Sequence, residues 1–305
     1  MRCDIRSALA AAALAVAAQP GLSHAQGAGS VADWGAVDRA IGRPGKPQPG
    51  DVQKYSFPRS DLRVTVGDVV VRPSLALGSW VAFKRMDSAD GQAMAMGDLV
   101  LTEDEVPAVL ASLQAGGIEQ TALHNHLQHE SPRVMYLHIQ GRGDPAKLAA
   151  VIRSALATTG TPAAAPVTPA APPFPLDTAA LARALGRGGS VNGGVYQVSV
   201  PRADPIRMQG MEIPPAMGVA TAINFQPTGR GRAAVTGDFV LTAEEVNPVL
   251  RTLKQQAIAV TALHSHMLAE EPRLLFMHFW ANDDALRLAR GLRLALDQLI
   301  FPRAP

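Results

Sequence analysis

Cysteine is almost missing from the sequence: Cys3 is the only one in 305 residues. Without a second cysteine the chain cannot form an internal disulfide, so it must rely on buried side chains for stability. Cys3 also lies ahead of the N-terminal apolar run, where it cannot become the lipidated first residue of a processed protein. A chemical site in the rest of the chain is limited to histidine, carboxylate and methionine ligands.

Strong charge of either sign is also missing. The chain has 28 basic and 26 acidic residues, and its basic residues form no stripe interleaved with aromatics, which argues against a nucleic-acid partner. Aromatic residues make up 5% of the chain, and they do not indicate a sugar-binding platform. The sequence has no phosphate-binding glycine loop, no G-x-S-x-G elbow and no H-E-x-x-H helix, which leaves those nucleotide-binding and hydrolase classes unsupported.

The apolar run near the N-terminus, Ser7–Ala18, is too short for the roughly 20 residues of a membrane span. Arg2 and Arg6 precede it, and Ser23–Ala25 follows it as a cleavage site of the A-x-A type. This order is typical of a secretory signal peptide. We therefore predict a signal peptide over residues 1–25 and a periplasmic or secreted mature protein with no membrane span.

What the chain does contain is an internal repeat with a fixed offset. Thr121–His126 reads TALHNH, and Thr261–His266 reads TALHSH 140 positions later. Between Gly97–Ile139 and Gly237–Phe279, 20 of 43 aligned positions are identical. These matches predict a tandem duplication. The predicted parts are a first repeat domain at 31–160, an extended Pro/Ala linker at 161–175 and a second repeat domain at 176–305.

Valine-rich segments with alternating polarity predict strands in the first half of each repeat. Glycine, proline and aspartate separate these segments from one another. The expected strands are Leu62–Val71, Ser79–Met86 and Ala93–Leu101 in the first repeat, and Val195–Val200, Pro205–Ile213, Gly218–Phe225 and Ala233–Leu241 in the second.

Each repeat continues with a well-marked helix. Thr102–Glu105 and Thr242–Glu245 are capping boxes, in which threonine caps the helix and the glutamate three residues later closes the turn. Apolar residues at helical spacing follow the first box and predict one face packed on a sheet. A second helix closes each repeat, at Pro145–Ala157 and Asp284–Leu299. The predicted fold class is α+β, with two tandem homologous domains, each an antiparallel sheet with helices packed on one face.

Six of the eight histidines belong to the repeated motif, as H-x-H followed by a third histidine. Alternate residues of a strand share a face, so His124 and His126 should project together, and an antiparallel return strand should bring His138 to them. Three converging imidazoles with an open fourth position are a ligand set that zinc adopts. We predict one such site in each repeat; whether the two sites are independent or form one shared site at the domain interface stays open. The predicted ligands are His124, His126 and His138 in the first repeat, and His264, His266 and His278 in the second.

The predicted metal is a divalent ion, with zinc as the first choice. Mg²⁺ and Ca²⁺ prefer oxygen and fit poorly with imidazole ligands. Copper is the alternative because Met267 and Met277 flank the second motif, although methionine also fills cores and Leu127 and Leu137 replace it in the first repeat. Hydrogen-bonded pockets for an anionic ligand, or purely structural histidines, are the other interpretations.

Charged residues are also repeated beside the histidines. Glu130 and Glu270 follow the second histidine of each motif by four residues, as candidates for a fourth ligand, an imidazole-orienting partner or a general base. Arg133 and Arg273 each follow a proline. They are candidates to clamp a carboxylate or phosphate, or to pair on the surface with a nearby glutamate.

Two more matched pairs lie earlier in each repeat. Arg59 and Arg202 both follow a proline, and the same two interpretations apply to them. Asp98 and Asp238 each follow a glycine, and we predict that they are turn residues rather than catalytic groups.

The motif G-D-x-V-L-T-x-x-E-V at Gly97 and Gly237, followed by T-A-L-H-x-H and E-x-P-R, resembles the LppY/LpqO family of exported bacterial proteins. That family is known mainly as a domain of unknown function, often present in two copies. The resemblance covers nearly all of the mature chain and implies no particular activity. The mycobacterial members are lipoproteins, whereas this chain has no lipidation cysteine in the right place. A soluble periplasmic form is implied instead.

Together these features predict a periplasmic protein that binds or carries a divalent metal or a metal-coordinated small anion. One alternative is a zinc-dependent hydrolase, in which Glu130 or Glu270 takes a proton from zinc-bound water and an arginine, Arg133 or Arg273, stabilises negative charge. The other alternative is an envelope interaction module with structural histidines. The expected partner is the metal ion or a small anionic ligand.

Overall fold

The computed structural model describes residues 34–86, 91–163 and 173–299. The predicted signal peptide and most of the predicted linker lie outside these residues. Within the described part of the chain, no helix is both long and apolar enough to cross a membrane. The longest helix there has 13 residues.

The first repeat combines short helices with mostly short strands. Its helices are α1 (Trp34–Ile41), α2 (Pro73–Ala76), α3 (Val106–Ala115) and α4 (Pro145–Leu156), with a 3-10 turn at Glu103–Glu105 before α3. Its strands are β1 (Lys46–Gln48), β2 (Val52–Pro58), β3 (Thr65–Val66), β4 (Val69–Val70), β5 (Gly78–Arg85), β6 (Ala93–Thr102), β7 (Glu119–His124), β8 (Glu130–Ser131) and β9 (Val134–Gly143).

The second repeat has the same order of strands. Its helices are α5 (Thr178–Leu185), α6 (Ala243–Gln255) and α7 (Ala285–Leu296), with a 3-10 turn at Pro215–Met217 in the place of α2. Its strands are β10 (Ser190–Asn192), β11 (Val195–Pro201), β12 (Arg207–Met208), β13 (Met211–Glu212), β14 (Ala220–Gly229), β15 (Arg232–Leu241), β16 (Ala259–His264), β17 (Glu270–Glu271) and β18 (Leu275–Asp284).

Each repeat forms one six-stranded antiparallel sheet. The strand order is β1-β2-β5-β6-β9-β7 in the first repeat and β10-β11-β14-β15-β18-β16 in the second. Two small sheets, β4-β3-β8 and β13-β12-β17, connect the loops that follow β2 and β11 to those that follow β7 and β16. The matching strand orders confirm the predicted α+β fold with two homologous halves.

The first repeat contains a strand, β2, that was not predicted from its sequence. Gln53 and Lys54 interrupt its apolar pattern, but neither residue is fully exposed. Lys54 faces the second repeat, where its Nζ donates to the Ala216 carbonyl at 2.9 Å. The predicted strand Leu62–Val71 is instead the β3–β4 hairpin, in which each strand has two residues.

Both predicted capping boxes are present. The Glu105 carboxylate accepts the Thr102 backbone N–H at 2.8 Å, and Glu245 accepts that of Thr242 at 2.7 Å. These bonds satisfy N–H groups that the start of a helix leaves without a partner. The residues after each box therefore form α3 and α6, as predicted.

The same two glutamates bind buried arginines. Arg59 is 0% exposed, and its guanidinium donates to Glu105 at 2.7 Å and to Asp61 at 2.8 Å. Arg202 donates to Glu245 at 2.7 Å in the second repeat. These arginines bind carboxylates, as one interpretation predicted, but the carboxylates belong to the protein and not to a ligand. The other interpretation, a pair on the surface, is wrong because both guanidinium groups are buried. Each network ties the end of β2 or β11 to the start of a helix.

Helices cover the outer face of each sheet. In the first repeat, α1, α3 and α4 pack on apolar residues of β2, β5, β6 and β9, and one buried cluster contains residues of all these elements. In the second repeat, α5, α6 and α7 cover the equivalent strands in the same way. Each repeat therefore has a core of its own between helices and sheet.

The inner faces of the two sheets pack against each other. Two further apolar clusters lie there, and both contain residues of both repeats. One, the methionine-rich cluster, includes Met96 of β6 and Phe276 of β18; the other, the valine-rich cluster, includes Tyr136 of β9 and Ala234 of β15. The layers therefore run helices, sheet, sheet, helices, with both faces of each sheet buried.

Replacing Arg59 with methionine should lower the free energy of unfolding by about 3 kcal/mol, because Glu105 and Asp61 would lose the charge that compensates their partial burial. Urea unfolding at pH 7 measures this change. Arg133→Met is the matched control: the Arg133 side chain is 64% exposed and lies 3.7 Å from Glu103. Its loss should cost at most about 0.5 kcal/mol. Equal effects of the two substitutions would show that the buried network does not stabilise the fold.

Candidate metal centre

The edge strands of the two sheets end at the first histidine of each motif. His124 is the last residue of β7 and His264 the last of β16, whereas His126 and His266 lie in the bends beyond. The prediction that both histidines of H-x-H lie on a strand is therefore wrong. In the first repeat Asn125 ends the strand, since its side-chain amide donates to the Val134 carbonyl at 2.8 Å and closes the turn.

The third histidine of each motif lies within a long inner strand, as predicted. β9 pairs His138 with Ala122 of β7 on one side and with Asp98 of β6 on the other. His124 is paired with Tyr136, so it lies diagonally across from His138. β18 places His278 in the same way.

A break in strand register at Thr121 and Thr261 brings the two repeats together. Neither threonine has a partner in the β7–β9 or β16–β18 register, which is the geometry of a β-bulge. The Thr121 hydroxyl donates to the His266 carbonyl at 2.6 Å, and the Thr261 hydroxyl donates to the His126 carbonyl at 2.6 Å. These reciprocal bonds relate the repeats by a pseudo-two-fold axis and hold both H-x-H bends.

All six motif histidines meet between the sheets, in what we call the six-histidine cluster (His124, His126, His138, His264, His266 and His278). Three pairs of rings stack across the repeat boundary. The ring centroids are 3.5 Å apart for His124 and His264, 3.7 Å for His126 and His278, and 3.7 Å for His138 and His266. Rings of the same motif are farther apart, as in His124 and His138 at 5.0 Å.

Ligand atoms of the cluster form two overlapping groups that could hold a metal ion, each with its atoms within 4.8 Å of one another. Both groups contain histidines of both repeats and share His124 and His126. The first group is His124, His126, His264 and His278; the second is His124, His126, His138 and His266. The prediction of one three-histidine site in each repeat does not match this arrangement, because facing sheets bring all six rings into one space.

The Nε2 atoms of all six rings are buried and have no hydrogen-bond partner among the described residues. Several Nδ1 atoms do have one. His278 Nδ1 lies 3.0 Å from the Gly237 carbonyl, His124 Nδ1 lies 3.3 Å from the Asn125 carbonyl, and His264 Nδ1 lies 3.4 Å from the Ser265 carbonyl. A carbonyl can only accept, so the proton belongs on Nδ1 in these rings, and Nε2 keeps a free lone pair.

Burial holds the cluster in its neutral form. Desolvation lowers the pKa of His124 to about 3, with a further contribution from His264, and it lowers the pKa of His264 to about 4. The pKa values of the other four lie well below the ordinary 6.5, first through desolvation and then through neighbouring imidazoles. Neutral imidazole is the form that binds a metal, so the cluster is in the ligating state at pH 7.

Two carboxyl groups lie beside the cluster, a buried one at Asp98 and a half-buried one at Asp238. Asp98 and Asp238 are in the middle of β6 and β15, so the prediction that they are turn residues is wrong. The preceding glycines are needed for close packing instead: a Cβ at Gly97 would lie 2.8 Å from the Trp80 carbonyl oxygen, and one at Gly237 would lie 1.9 Å from that of Ala222. Asp98 Oδ1 is 3.8 Å from His138 Nε2.

Burial changes the proton affinity of these carboxyls as well. Desolvation raises the pKa of Asp98 well above its usual range and that of Asp238 to about 7. Lys54 opposes both shifts through its positive charge, and desolvation lowers its own pKa to about 8. The Lys54 ammonium also lies 4.1 Å from the centre of the Trp80 ring. No local pattern in the sequence predicts this group, because its members are far apart along the chain.

Glu130 and Glu270 begin the two-residue strands β8 and β17 and belong to neither four-histidine group. Glu270 accepts the Leu274 backbone N–H at 2.9 Å, and Glu130 accepts that of Val134 at 3.2 Å. Desolvation raises the pKa of Glu130 to about 7. Their described contacts stabilise the bends that lead from the second histidine to β9 and β18.

Arg133 and Arg273 lie at the surface near these bends. Arg133 pairs with Glu103, and Arg273 pairs with Glu270 at 3.3 Å while also donating to the Met267 carbonyl at 3.1 Å. Their side chains are 64% and 53% exposed. These contacts fit a surface role, and a role in clamping an anion stays a prediction.

The two methionines that flank the second motif have different positions. Met277 packs in the core between sheet and helices of the second repeat. Met267 belongs to the methionine-rich cluster between the sheets and lines a pocket with His138 and His266. The alternating faces of β18 separate Met277 from His278, so only Met267 lies beside the histidines.

A family model described as Domain of Unknown Function (DUF1259) matches residues 35–158 and 179–298. The chain belongs to this family. It contains two tandem copies of the domain, and the two matches coincide with the two sheets and their helices. The H-x-H and third histidine of each DUF1259 copy lie inside the matched residues.

Other comparisons add little. The solved structure of a trimeric bacterial microcompartment shell protein, PduB, matches 83% of this chain and 90% of its own, at 14% identity and a TM-score of 0.19. A likeness this weak carries no argument. No curated protein matches the chain.

The metal-free DUF1259 pair should lose stability as the pH falls below about 6.5. Histidines in the unfolded chain have a pKa near 6.5, so unfolding takes up protons below that pH. The stability that the neutral rings contribute is complete above 6.5 and is lost as the pH falls through the folded values, about 4 for His264 and about 3 for His124. The raised pKa values of Asp98, Asp238 and Glu130 increase stability as the pH falls. Because these are three groups and the histidines are six, the net effect is a loss of stability.

Comparison with a variant isolates the histidine contribution. In His124→Asn/His264→Asn, the fall in unfolding free energy between pH 6.5 and 4.5 should be shallower by about 2 kcal/mol per pH unit, because each histidine contributes up to about 1.4. Urea unfolding in the presence of a chelator measures both slopes. His129→Asn is the control, since His129 is exposed and its φ of 58° suits asparagine. An unchanged slope in the double variant would mean that the cluster is not held neutral.

Proposed function

We propose that the two DUF1259 domains together bind one divalent metal ion, and that this protein binds or carries that ion. The observation that carries the proposal is the first four-histidine group, His124, His126, His264 and His278, whose ligand atoms lie within 4.8 Å of one another. Each repeat contributes two of these rings. A cation between them would give a partner to four buried Nε2 atoms that have none among the described residues.

Ring orientation favours this group over the second one. Three of its members have Nδ1 beside a backbone carbonyl, namely His124, His264 and His278. In the second group such a contact is found only for His124 among the described hydrogen bonds. A ligating histidine usually donates its other ring N–H in this way, which fixes both the tautomer and the ring plane. The first group is therefore better prepared to bind.

Zinc fits this centre best among divalent ions. It accepts four nitrogen ligands in a tetrahedron and has no demand for oxygen. Four protein ligands close the coordination sphere, whereas a catalytic zinc keeps one position for water. Glu130 and Glu270 belong to neither group, and they accept the backbone N–H groups of Val134 and Leu274 where the chain enters β9 and β18. Both points support binding or carriage over the alternative of a zinc-dependent hydrolase.

Access to the centre is from the His124 and His264 side. These two rings are partly exposed, whereas His138 and His278 are buried. The side chains of Leu123 and Leu263, next to them on the edge strands, are each 45% exposed. A metal ion could therefore reach the cluster without separation of the two sheets.

We also propose that the protein acts after export, as the N-terminal segment and the resemblance to the LppY/LpqO family suggest. Periplasmic and secreted proteins meet metal ions outside the buffered cytoplasm, which suits a binding or carrier role. Fractionation of cells that make the full chain, with mass measurement of the exported form, tests this. Recovery of uncleaved chain in the cytoplasm alone would contradict it.

The variant His124→Ala/His126→Ala should lose all zinc binding, although it retains His264, His266 and His278. These two substitutions remove ligands from both four-histidine groups, and the rings of the second repeat alone do not complete either one. Wild-type protein should bind about one equivalent in a closed four-ligand site. Equilibrium dialysis with elemental analysis, on protein purified without a polyhistidine tag, measures the content.

His129→Ala provides the control, because it removes an exposed histidine of the same repeat and should leave zinc content unchanged. Circular dichroism of each variant verifies the fold. A double variant that keeps about one equivalent of zinc would establish an independent three-histidine site in the second repeat. That result would overturn the shared centre.

A further inference from the structure

We propose that the two remaining histidines, His138 and His266, form a second metal site with nearby methionines, and that this site takes a soft monovalent ion, Cu(I). The inference goes beyond the proposed divalent centre. It rests on that centre only in one respect: the first four-histidine group leaves these two rings free.

His138 and His266 form a buried pair across the repeat boundary. Their ring centroids are 3.7 Å apart, and the residues are 5% and 8% exposed. Neither Nε2 atom has a hydrogen-bond partner among the described residues. A buried lone pair without a donor costs free energy, and a bound cation would remove that cost at both rings.

The pair lines a small pocket together with three thioether side chains, those of Met96, Met217 and Met267. Imidazole and thioether together are the ligand set that selects Cu(I), because soft sulfur prefers a soft, monovalent ion. Mg²⁺ and Ca²⁺ need oxygen ligands, and zinc gains little from a thioether. The chemistry of the pocket therefore differs from that of the four-histidine group.

Methionine is concentrated at this end of the sheet interface. The six buried methionines of the methionine-rich cluster are Met94, Met96, Met208, Met211, Met217 and Met267. The valine-rich cluster, related to it by the pseudo-two-fold axis, contains no methionine among its described residues. At the 140-residue offset, Leu127 is the counterpart of Met267 and Thr236 that of Met96. Both clusters are buried, so burial alone does not explain why only one of them contains methionine among its described residues.

The carboxyl group of Asp98 lies beside the pocket. Asp98 Oδ1 lies 3.8 Å from His138 Nε2, too far for a hydrogen bond, and it has no hydrogen-bond partner among the described residues. A monovalent cation at His138 would lie close to this oxygen and would favour the ionised form of the carboxyl group. Two histidines and three methionines therefore line one pocket, and a carboxyl group lies beside His138.

Silver provides a redox-inert probe for the site. The full chain with Cys3→Ser, which removes the only thiol, should bind one equivalent of Ag(I) after loading with zinc and without releasing it. Met96→Leu/Met217→Leu/Met267→Leu should weaken Ag(I) binding by about 100-fold, while zinc content stays constant. Competition against a chelator measures the affinity, and X-ray absorption of the Cu(I)-loaded protein should show sulfur ligands that the triple variant lacks.

Met277→Leu is the matched control, because Met277 is equally buried but packs in the helix-side core, where the first repeat has Leu137. It should leave Ag(I) binding unchanged. Wild-type affinity in the triple variant would overturn the proposal, as would release of zinc on addition of silver. The zinc content of the triple variant shows whether it has kept its structure. If it has not, Met267→Leu alone, which introduces the residue found at Leu127, gives the same test with a smaller expected loss of Ag(I) affinity.

The outcome is separable from that for the divalent centre. His124→Ala/His126→Ala should lose zinc but keep Ag(I) binding, whereas His138→Ala/His266→Ala should lose Ag(I) binding and keep zinc. If wild-type protein bound no zinc at all, the proposal of a divalent centre would be wrong. The Cu(I) proposal would still be tested by Ag(I) binding to the methionine variants.

Discussion

The whole arrangement depends on one contact, the packing of two sheets through a layer that contains six neutral imidazoles. A buried acceptor without a donor costs about 1–3 kcal/mol, and six Nε2 atoms are in that state among the described residues. Apolar burial on both sides of the cluster must offset this cost, since both inter-sheet clusters contain residues of the two repeats. In the proposed function a bound metal ion would use the same lone pairs as ligands, which would explain why the cost is kept.

Duplication explains why the cluster has this form. In each repeat the motif ends an edge strand and returns along its neighbour, so the three histidines lie on the face away from the helices. A single repeat would expose that face. When two copies pack about a pseudo-two-fold axis, each ring meets a ring of the other copy, with His124 beside His264 at the axis. The bonds from Thr121 and Thr261 hold the two bends in register.

Local features of the fold could be predicted from the sequence. The capping boxes, the closing helices and the repeated order of strands rest on patterns of a few residues, and the structure confirms them. β2 was not among the predicted strands, and Lys54 interrupts its apolar pattern, although the Lys54 ammonium donates to a carbonyl of the other repeat. A charge that pairs across domains has no local signature.

The position of the site could be predicted only in part. The motif identified the six histidines, but spacing within a repeat cannot say what covers its inner face. One signal was available: although Ala93–Leu101 is predicted as an alternating strand, Asp98 is its only charged residue, and nearly all of β6 is buried. Such a run is typical of a sheet covered on both faces. It would have indicated a second layer over the histidines, and with it a site shared between repeats rather than one in each.

X-ray absorption at the zinc edge tests the shared centre most directly. The account predicts about one zinc per chain, with four imidazole nitrogens at about 2.0–2.1 Å and no oxygen ligand. Two zinc ions per chain, each with three imidazoles and one oxygen ligand, would contradict it and restore one independent site in each repeat.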